Sequence, residues 1–580
     1  MVDAFWLKIG EKVLLNRIFL DDRQEQGNLA MGNRAGPYAK GQSVNQWIQQ
    51  LTIGGKNPDG SWEYSQVTLA CLRAAGRLPF NAPVLSLRVS AHMPGEWREK
   101  LLAEAAKAQL SGGASPILLN DDKIIPGMAM SCDNIGPRRS DDWGDLWSSK
   151  VREEDAHNYA CDGCYEPQFV GANWFHLGGM TLLQPLEYAL NQGRSIQSAG
   201  PVDLLGKNMS FRSKPASEFK DYFELEAVFL KHFEWLFARQ MESTVGDFGR
   251  MQDVCPSPLL SLFINDCLAK GQDIYAGGAR YNVFGPCFTS LANTINSLWA
   301  IRSMCFGEET AVTSLGELVA ALLCNWGENI IDPLVHPAVM ATDTVRTEEA
   351  TRRFRQLREI ALSLPRWGRG DSQIDPFGNR ICERIATICV EVMTKPRSGL
   401  SDQFKKAAQR FGTEKQPFGG FCMQPGVGTF ASYVENGLGC AASADGRLSG
   451  HAIGTDMSPA PSPIDRPALP STRQFADAVK VLDGVRSSAA FGFANGAPID
   501  LNIEEGMAID RLMEILSAFV DGAGSNILTV TTADQETFLA APGAPEAHDL
   551  VRVRMGGWTE MFVAMHALHQ KVHPRRPYST

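Results

Sequence analysis

The chain has 580 residues, 44% hydrophobic and 21% charged, a length and balance that allow a large buried core and more than one domain. Its 55 Lys and Arg against 65 Asp and Glu give a net charge of -10, and no basic run is long enough to track a phosphate backbone, which excludes nucleic acid as an expected partner. No apolar run approaches the ~20 residues of a membrane span, and the opening MVDAFWLKIGEK lacks the regions of a signal peptide, so a cytoplasmic protein without a membrane partner is expected.

In chain order, EWREKLLAEAAKAQLSGG (96–113) has apolar positions at helical spacing and ends on a Gly-Gly stop, predicting a helix. The following SPILLNDDKIIPGM predicts a buried strand, a turn and a second short strand. Residues 290–307 and 314–330 predict mostly buried helices. The Pro-rich 456–475 predicts an ordered crossover loop, because proline lacks a donor and fixes φ. Alternation of helices and short strands suggests a parallel α/β organisation with barrel-like closure. The thirteen cysteines, odd in number and scattered, predict reduced thiols.

Two stretches carry chemistry. In Gly163-Cys164-Tyr165-Glu166-Pro167, Gly and Pro bracket a tight loop with a thiol and a carboxylate. Cys161 and Cys164 have the spacing of half a zinc site or a redox pair. The chain has no second CxxC, so no metal is expected. A thiol packed as a small hydrophobe and a catalytic thiol beside an acid/base carboxylate both stay open. In Leu550-Val-Arg-Val-Arg-Met-Gly-Gly-Trp-Thr-Glu-Met-Phe562, a strand-like run is broken by Gly556 and Gly557; on the residues alone this reads as a strand with a Gly bulge.

Together, Gly-Cys-x-Glu-Pro followed near the C-terminus by Arg-x-x-Gly-aromatic (Arg554, Gly557, Trp558) resembles the glycyl radical enzymes related to pyruvate formate-lyase. WLKIGE, LSLRV, NDDKIIPGM, ACDGCYEPQFVGANWF, LEYALNQG, YNVFGP, SADGRLSG and NGAPIDLNI are similar to family segments in the family's order. The resemblance covers nearly the whole chain.

The resemblance implies an α/β fold, the ten-stranded β/α barrel of that family. Because the sequence starts almost on WLKIGE, the resemblance also implies that the N-terminal half-barrel is missing from it, through a miscalled start, a separate polypeptide or a degenerate protein. It also implies a barrel portion with the Cys loop over 1–440 and a glycine radical domain over 441–580. Gly557 matches the radical store, where a Cα without a side chain can become planar between two amides. Gly556 stands where the family more often has Ser or Ala, and Trp558 where Tyr is commonest. Cys164 matches the residue that becomes a thiyl radical, and Glu166 a general base. No cofactor is bound; the radical is installed by a separate activating enzyme that uses S-adenosylmethionine and an iron–sulfur cluster. A homodimer is expected, with a separate N-terminal half-barrel chain as a further expected partner, since half a barrel alone would leave strand edges unpaired.

Pyruvate formate-lyase has two adjacent cysteines and no such Glu, so GCYE favours a radical lyase over C-acetyl transfer. Within the lyases, the long interval from Cys164 to Gly557 is more similar to arylacetate decarboxylases than to the eliminases that remove water, an amine or sulfite. Trp174 and Phe175, with His176 beside them, are the candidate floor of an aryl-acid pocket, or else core packing. Decarboxylation of an arylacetate-type acid is the leading expectation, ahead of elimination from a diol or amino alcohol. A partial or inactive subunit is the non-enzymatic alternative.

Overall fold

A computed structural model describes residues 1–10, 50–78, 80, 83–111, 116–132, 150–162, 164–196, 204, 206–328, 347–412, 418, 420–429, 432–468, 476–485, 492–522, 524–565 and 567–580. The strands are β1 (Gln50–Gly54), β2 (Val84–Val89), β3 (Ile117–Asn120), β4 (Tyr159–Asp162), β5 (Glu166–Phe169), β6 (Asn173–Thr181), β7 (Tyr281–Thr289), β8 (Phe421–Met423), β9 (Gly426–Val427), β10 (Pro498–Ile503), β11 (Ile527–Thr532), β12 (Arg552–Met555) and β13 (Trp558–Met561).

One sheet runs β1-β2-β3-β11-β10 and a second β6-β7-β8, with β9 also on β7. All pairings within them are parallel except β3 with β11. Helices cover the faces, and the inner strands β2, β3 and β7 are buried nearly throughout, as parallel strands between helical layers must be. Among the described residues the two sheets stay open; no closed ten-stranded barrel forms from them. β11, from beyond residue 440, pairs with β3 from the N-terminal part.

Local signals explain most elements. The predicted helix is present over Gly95–Leu110. The helix Gln66–Arg77 starts on a capping box between Ser65 and Thr68, which satisfies two otherwise orphaned N–H groups. The helix Tyr222–Asp247, capped by Asp221 accepting from Glu224 N at 2.9 Å, buries Phe229, Phe233 and Phe237 in the main core. Leu291–Phe306 is the expected buried helix, whereas 314–330 gives only Leu315–Leu323 and a short 3₁₀ turn over Asn325–Gly327. Residues 456–468 hold no helix or strand; 469–475 lie outside the described residues.

Two expectations fail. The second strand of SPILLNDDKIIPGM is instead the helix Asp121–Met130. Asn120 caps it by accepting from Asp122 N at 3.1 Å, and two aspartates complement its N-terminal dipole. Cys132 and Cys422 are joined as a disulfide, because the end of that helix and β8 meet in one buried cluster; the other eleven cysteines are free.

Candidate active site

The Cys loop is the tip of an antiparallel hairpin, β4 and β5, closed by the pair Asp162↔Glu166. Edge strand β1 clamps it: Thr52 Oγ1 accepts from Cys161 N at 3.3 Å, and Gln50 Nε2 donates to Cys164 O. Beneath the hairpin, Arg88 makes two 2.9 Å bonds to Asp121, which also accepts from Tyr159 OH at 2.6 Å. Arg88 lies 4.0 Å over the Tyr159 ring. A fork-shaped pair in a dry environment gives the loop a rigid base.

Glu166 is buried, with Oε2 accepting from Cys164 N and Tyr165 N, each at 3.1 Å. Its Oε1 has no partner. Burial pushes the carboxyl up to about 7, against the pull of the backbone amides. Burial, then the charge of Glu166, pushes the Cys164 thiol well up, although it also bonds to the backbone of Gly557. Cys164 is thereby held as S–H, the form that can give up a hydrogen atom, and not as thiolate. The Cys161 thiol donates to Tyr165 O at 3.4 Å.

Residues 552–561 form a second hairpin, β12 and β13, with Met555↔Trp558 as its closing pair. The Gly-Gly step is thus a two-residue turn, not a bulge. Gly556 has φ +73°, as the first residue of such a turn requires. Gly557 instead abuts the other loop: a Cβ built on it would overlap the Cα and Cβ of Cys164. The two glycines have separate geometric roles, and Gly557 is the one beside the thiol.

Arg554 is buried and donates from Nη1 to Gly557 O at 3.3 Å, and its backbone N donates to Thr531 Oγ1 of β11 at 3.1 Å. Burial lowers its guanidinium to about 10. On the other side Met555 meets His573 Nε2 at 3.3 Å, in a buried group with Tyr433 and His569. Of Trp558 only the backbone is described.

Several neighbours carried no sequence signal. Tyr165 OH donates to Asp456 at 2.9 Å, which also accepts from Thr429 N at 2.8 Å. Burial and nearby Asp500 push the Asp456 carboxyl well up. Cys287 on β7 is buried and accepts from Asn495 Nδ2 at 3.3 Å; the charges of Glu166 and Asp456 add to burial in raising its thiol. Cys287 follows directly on YNVFGP and Asp456 stands inside GTDMSP, yet nothing in those segments separates them from their neighbours.

The aromatic floor is divided. Phe175 packs on the cluster that contains Cys164 and Tyr165 and lies against Gly285. Trp174 and His176 project from the opposite face of β6, where Trp174 packs on Phe248 and Phe284 at 5.0 and 5.7 Å between ring centroids. Side chains alternate along a strand, so the three cannot share one pocket.

Comparison with known proteins fits this arrangement. The pyruvate formate lyase-like family matches residues 1–405, and the chain belongs to this family, the glycyl radical enzymes. It is 22% identical over 97% of its length to the "Probable dehydratase YbiW" of Escherichia coli, covering 59% of that protein. It is 22% identical over 57% of its length to an indoleacetate decarboxylase of Tractidigestivibacter scatoligenes, covering 34% of it. Its fold is similar to the glycerol-bound B12-independent glycerol dehydratase of Clostridium butyricum, with a TM-score of 0.72 and 20% identity, over all of this chain and 60% of that one. The chain therefore spans about 60% or less of the length of these relatives. Among the described residues no helix is long and apolar enough to cross a membrane, and no group of His, Cys, Asp or Glu could hold a metal ion.

Proposed function

We propose that the chain carries the radical centre of a glycyl radical lyase. Gly557 stores the radical, Cys164 is the hydrogen-transfer thiol and Glu166 the acid/base group. The observation that carries this reading is the packing of Gly557 on Cys164, too close for any side chain. Cys164 gives its hydrogen atom to the Gly557 Cα radical and becomes a thiyl. The thiyl takes a hydrogen atom from a substrate carbon, and the substrate radical loses its leaving group. The product radical then recovers the hydrogen from Cys164 S–H, which restores the thiyl and, through it, the Gly557 radical. A carboxyl near neutrality with one unpartnered oxygen suits the proton transfer that accompanies departure.

The leaving step we infer is elimination from a small oxygenated substrate such as a diol. Support comes from the loss of the aromatic floor, since Trp174 and His176 face away from Cys164, and from the dehydratase likeness along nearly the whole chain. Decarboxylation of an arylacetate is the second reading; Phe175 on the Cys164 side and the indoleacetate decarboxylase relative favour it. The radical would be installed by an activating enzyme using S-adenosylmethionine and an iron–sulfur cluster.

Anaerobic activation followed by electron paramagnetic resonance tests the centre: a doublet split by the remaining α-hydrogen is expected, and it should vanish in Gly557→Ala. A doublet that survives this substitution would overturn the assignment; no doublet in the wild type supports the alternative of a non-catalytic subunit. Aldehyde released from diols, against carbon dioxide released from arylacetates, separates the two lyase readings.

A further inference from the structure

Tyr165 follows Cys164 at the tip of the Cys hairpin and is fully buried. Its ring lies against Gly496, where φ is +114° and an added Cβ would come within 3.3 Å of it. It shares a buried cluster with Ile527 of β11. Its hydroxyl donates across to Asp456 at 2.9 Å, a partner 291 residues away in the chain. Asp456 is held at φ +50°, a left-handed conformation that disfavours side chains and, where it persists, points to a role for the one present. Its Oδ1 accepts from both Tyr165 OH and Thr429 N.

The neighbour of Asp456 on β10, Asp500, accepts from Thr529 Oγ1 of β11. Two residues along β11, Thr531 Oγ1 accepts from Arg554 N of β12, and Arg554 donates to Gly557 O. The Cys tip and the Gly tip are thus both referred to one strand. The backbone ties of Cys164 come from its own hairpin and from β1, whereas Tyr165 OH ties the tip to the part of the chain that carries Gly557.

We propose that Tyr165 is a positioning residue for radical transfer: its bond to Asp456 fixes the Cys164 tip against the strand that also holds the Gly557 hairpin, and so sets the gap the hydrogen atom crosses. The inference rests on the reading of Gly557 and Cys164 given above. Transfer of a hydrogen atom needs its two heavy atoms close together, and a misplacement of about 1 Å can cost on the order of a hundredfold in rate. Tyr165 acts here through Cys164 and not on the substrate.

The test equilibrates the full chain in heavy water, so that Cys164 is S–D, and then activates it anaerobically in heavy water. The Gly557 radical takes deuterium from S–D, giving a CHD carbon and a thiyl. When the thiyl takes hydrogen back, Gly557 keeps the deuterium and its paramagnetic doublet collapses to a singlet. Only molecules that carry the radical contribute, so a variant that folds poorly lowers the intensity and leaves the rate readable. Tyr165→Phe, which keeps the ring, should slow the collapse at least about tenfold. Asp456→Ala should slow it as much, and combining the two should add little. Asp456→Asn keeps an accepting Oδ1 and should collapse close to the wild-type rate. A wild-type rate in Tyr165→Phe or in Asp456→Ala would overturn the proposal and leave the radical centre standing. A wild-type protein with no doublet, or a collapse that persists in Cys164→Ala, would overturn the reading of the radical centre and the proposal with it.

Discussion

A methyl group on Gly557 and the backbone of Cys164 would occupy the same space. The hairpin tips that carry them are positioned by different parts of the chain, β4–β5 by the edge strand β1 and β12–β13 by β11. Gly557→Ala should therefore unseat the hairpin and expose Cys164, read as faster anaerobic alkylation of that thiol by peptide mass spectrometry. Gly556→Ala meets a different obstacle, φ +73°, and should cost on the order of 1 kcal/mol of stability while Cys164 stays protected. Equal protection in both variants would contradict this division of roles.

The two loops were legible in the sequence because each is a contiguous run whose residue types the chemistry needs. Their neighbours were not. Cys287, Asp456 and Asn495 come from β7 and two distant loops, and only tertiary packing brings them to Tyr165 and Glu166. The sequence suggests a strand where the helix Asp121–Met130 stands, because a short apolar run fits either period; the Asn120 cap and paired aspartates are the better guide. Trp174 and His176 are instructive in another way. Placing 173–181 on a strand already puts residue 175 opposite 174 and 176, so an aromatic floor of all three conflicted with the alternation of side chains. Nothing local marked how the strands would pair, since β3 to β11 joins residues some four hundred apart.

Glu166 should make stability depend on pH. Its carboxyl lies at about 7 in the folded chain, above the ordinary 4.5, so between those values the folded state holds a proton that the unfolded state releases. Its contribution to folding is most favourable below about pH 4.5, declines as pH rises towards 7 and is flat above. The loss across that window is on the order of 3 kcal/mol for a fully buried group. Urea denaturation from pH 4.5 to 8 should show a decline, and it should be shallower in Glu166→Gln, since the raised carboxyls of Asp375 and Asp456 remain. In turnover, the base form accumulates above about 7, so the rate should rise through that pH if Glu166 takes the substrate proton.

Burial, then the charge of Asp500, pushes the Asp456 carboxyl well up, towards its neutral form. An amide is a close mimic of a neutral carboxyl, so Asp456→Asn should change stability by less than about 1 kcal/mol. Asp456→Ala would leave Tyr165 OH and Thr429 N without their acceptor, at about 1 to 3 kcal/mol for each stranded group. Chemical denaturation of the two variants separates these outcomes; a large loss in the Asn variant would mean that Asp456 is ionised in the fold.

Trp174 and Phe175 should part company when substituted. Trp174 is packed edge-on against Phe248 and Phe284, so Trp174→Ala should destabilise the chain by on the order of 3 kcal/mol through the cavity it leaves. Because its side chain is turned from Cys164, the ratio of kcat/KM between any two substrates should stay as in the wild type. Phe175 faces the side that holds Cys287 and packs on the cluster containing Cys164. Phe175→Ala should therefore shift that ratio, by up to about a hundredfold if the ring contacts one substrate and not the other. Competition between a diol and an arylacetate in the activated protein measures both effects. A selectivity change in Trp174→Ala, with none in Phe175→Ala, would return the aromatic floor to the wrong face of β6 and undo the argument for elimination over decarboxylation.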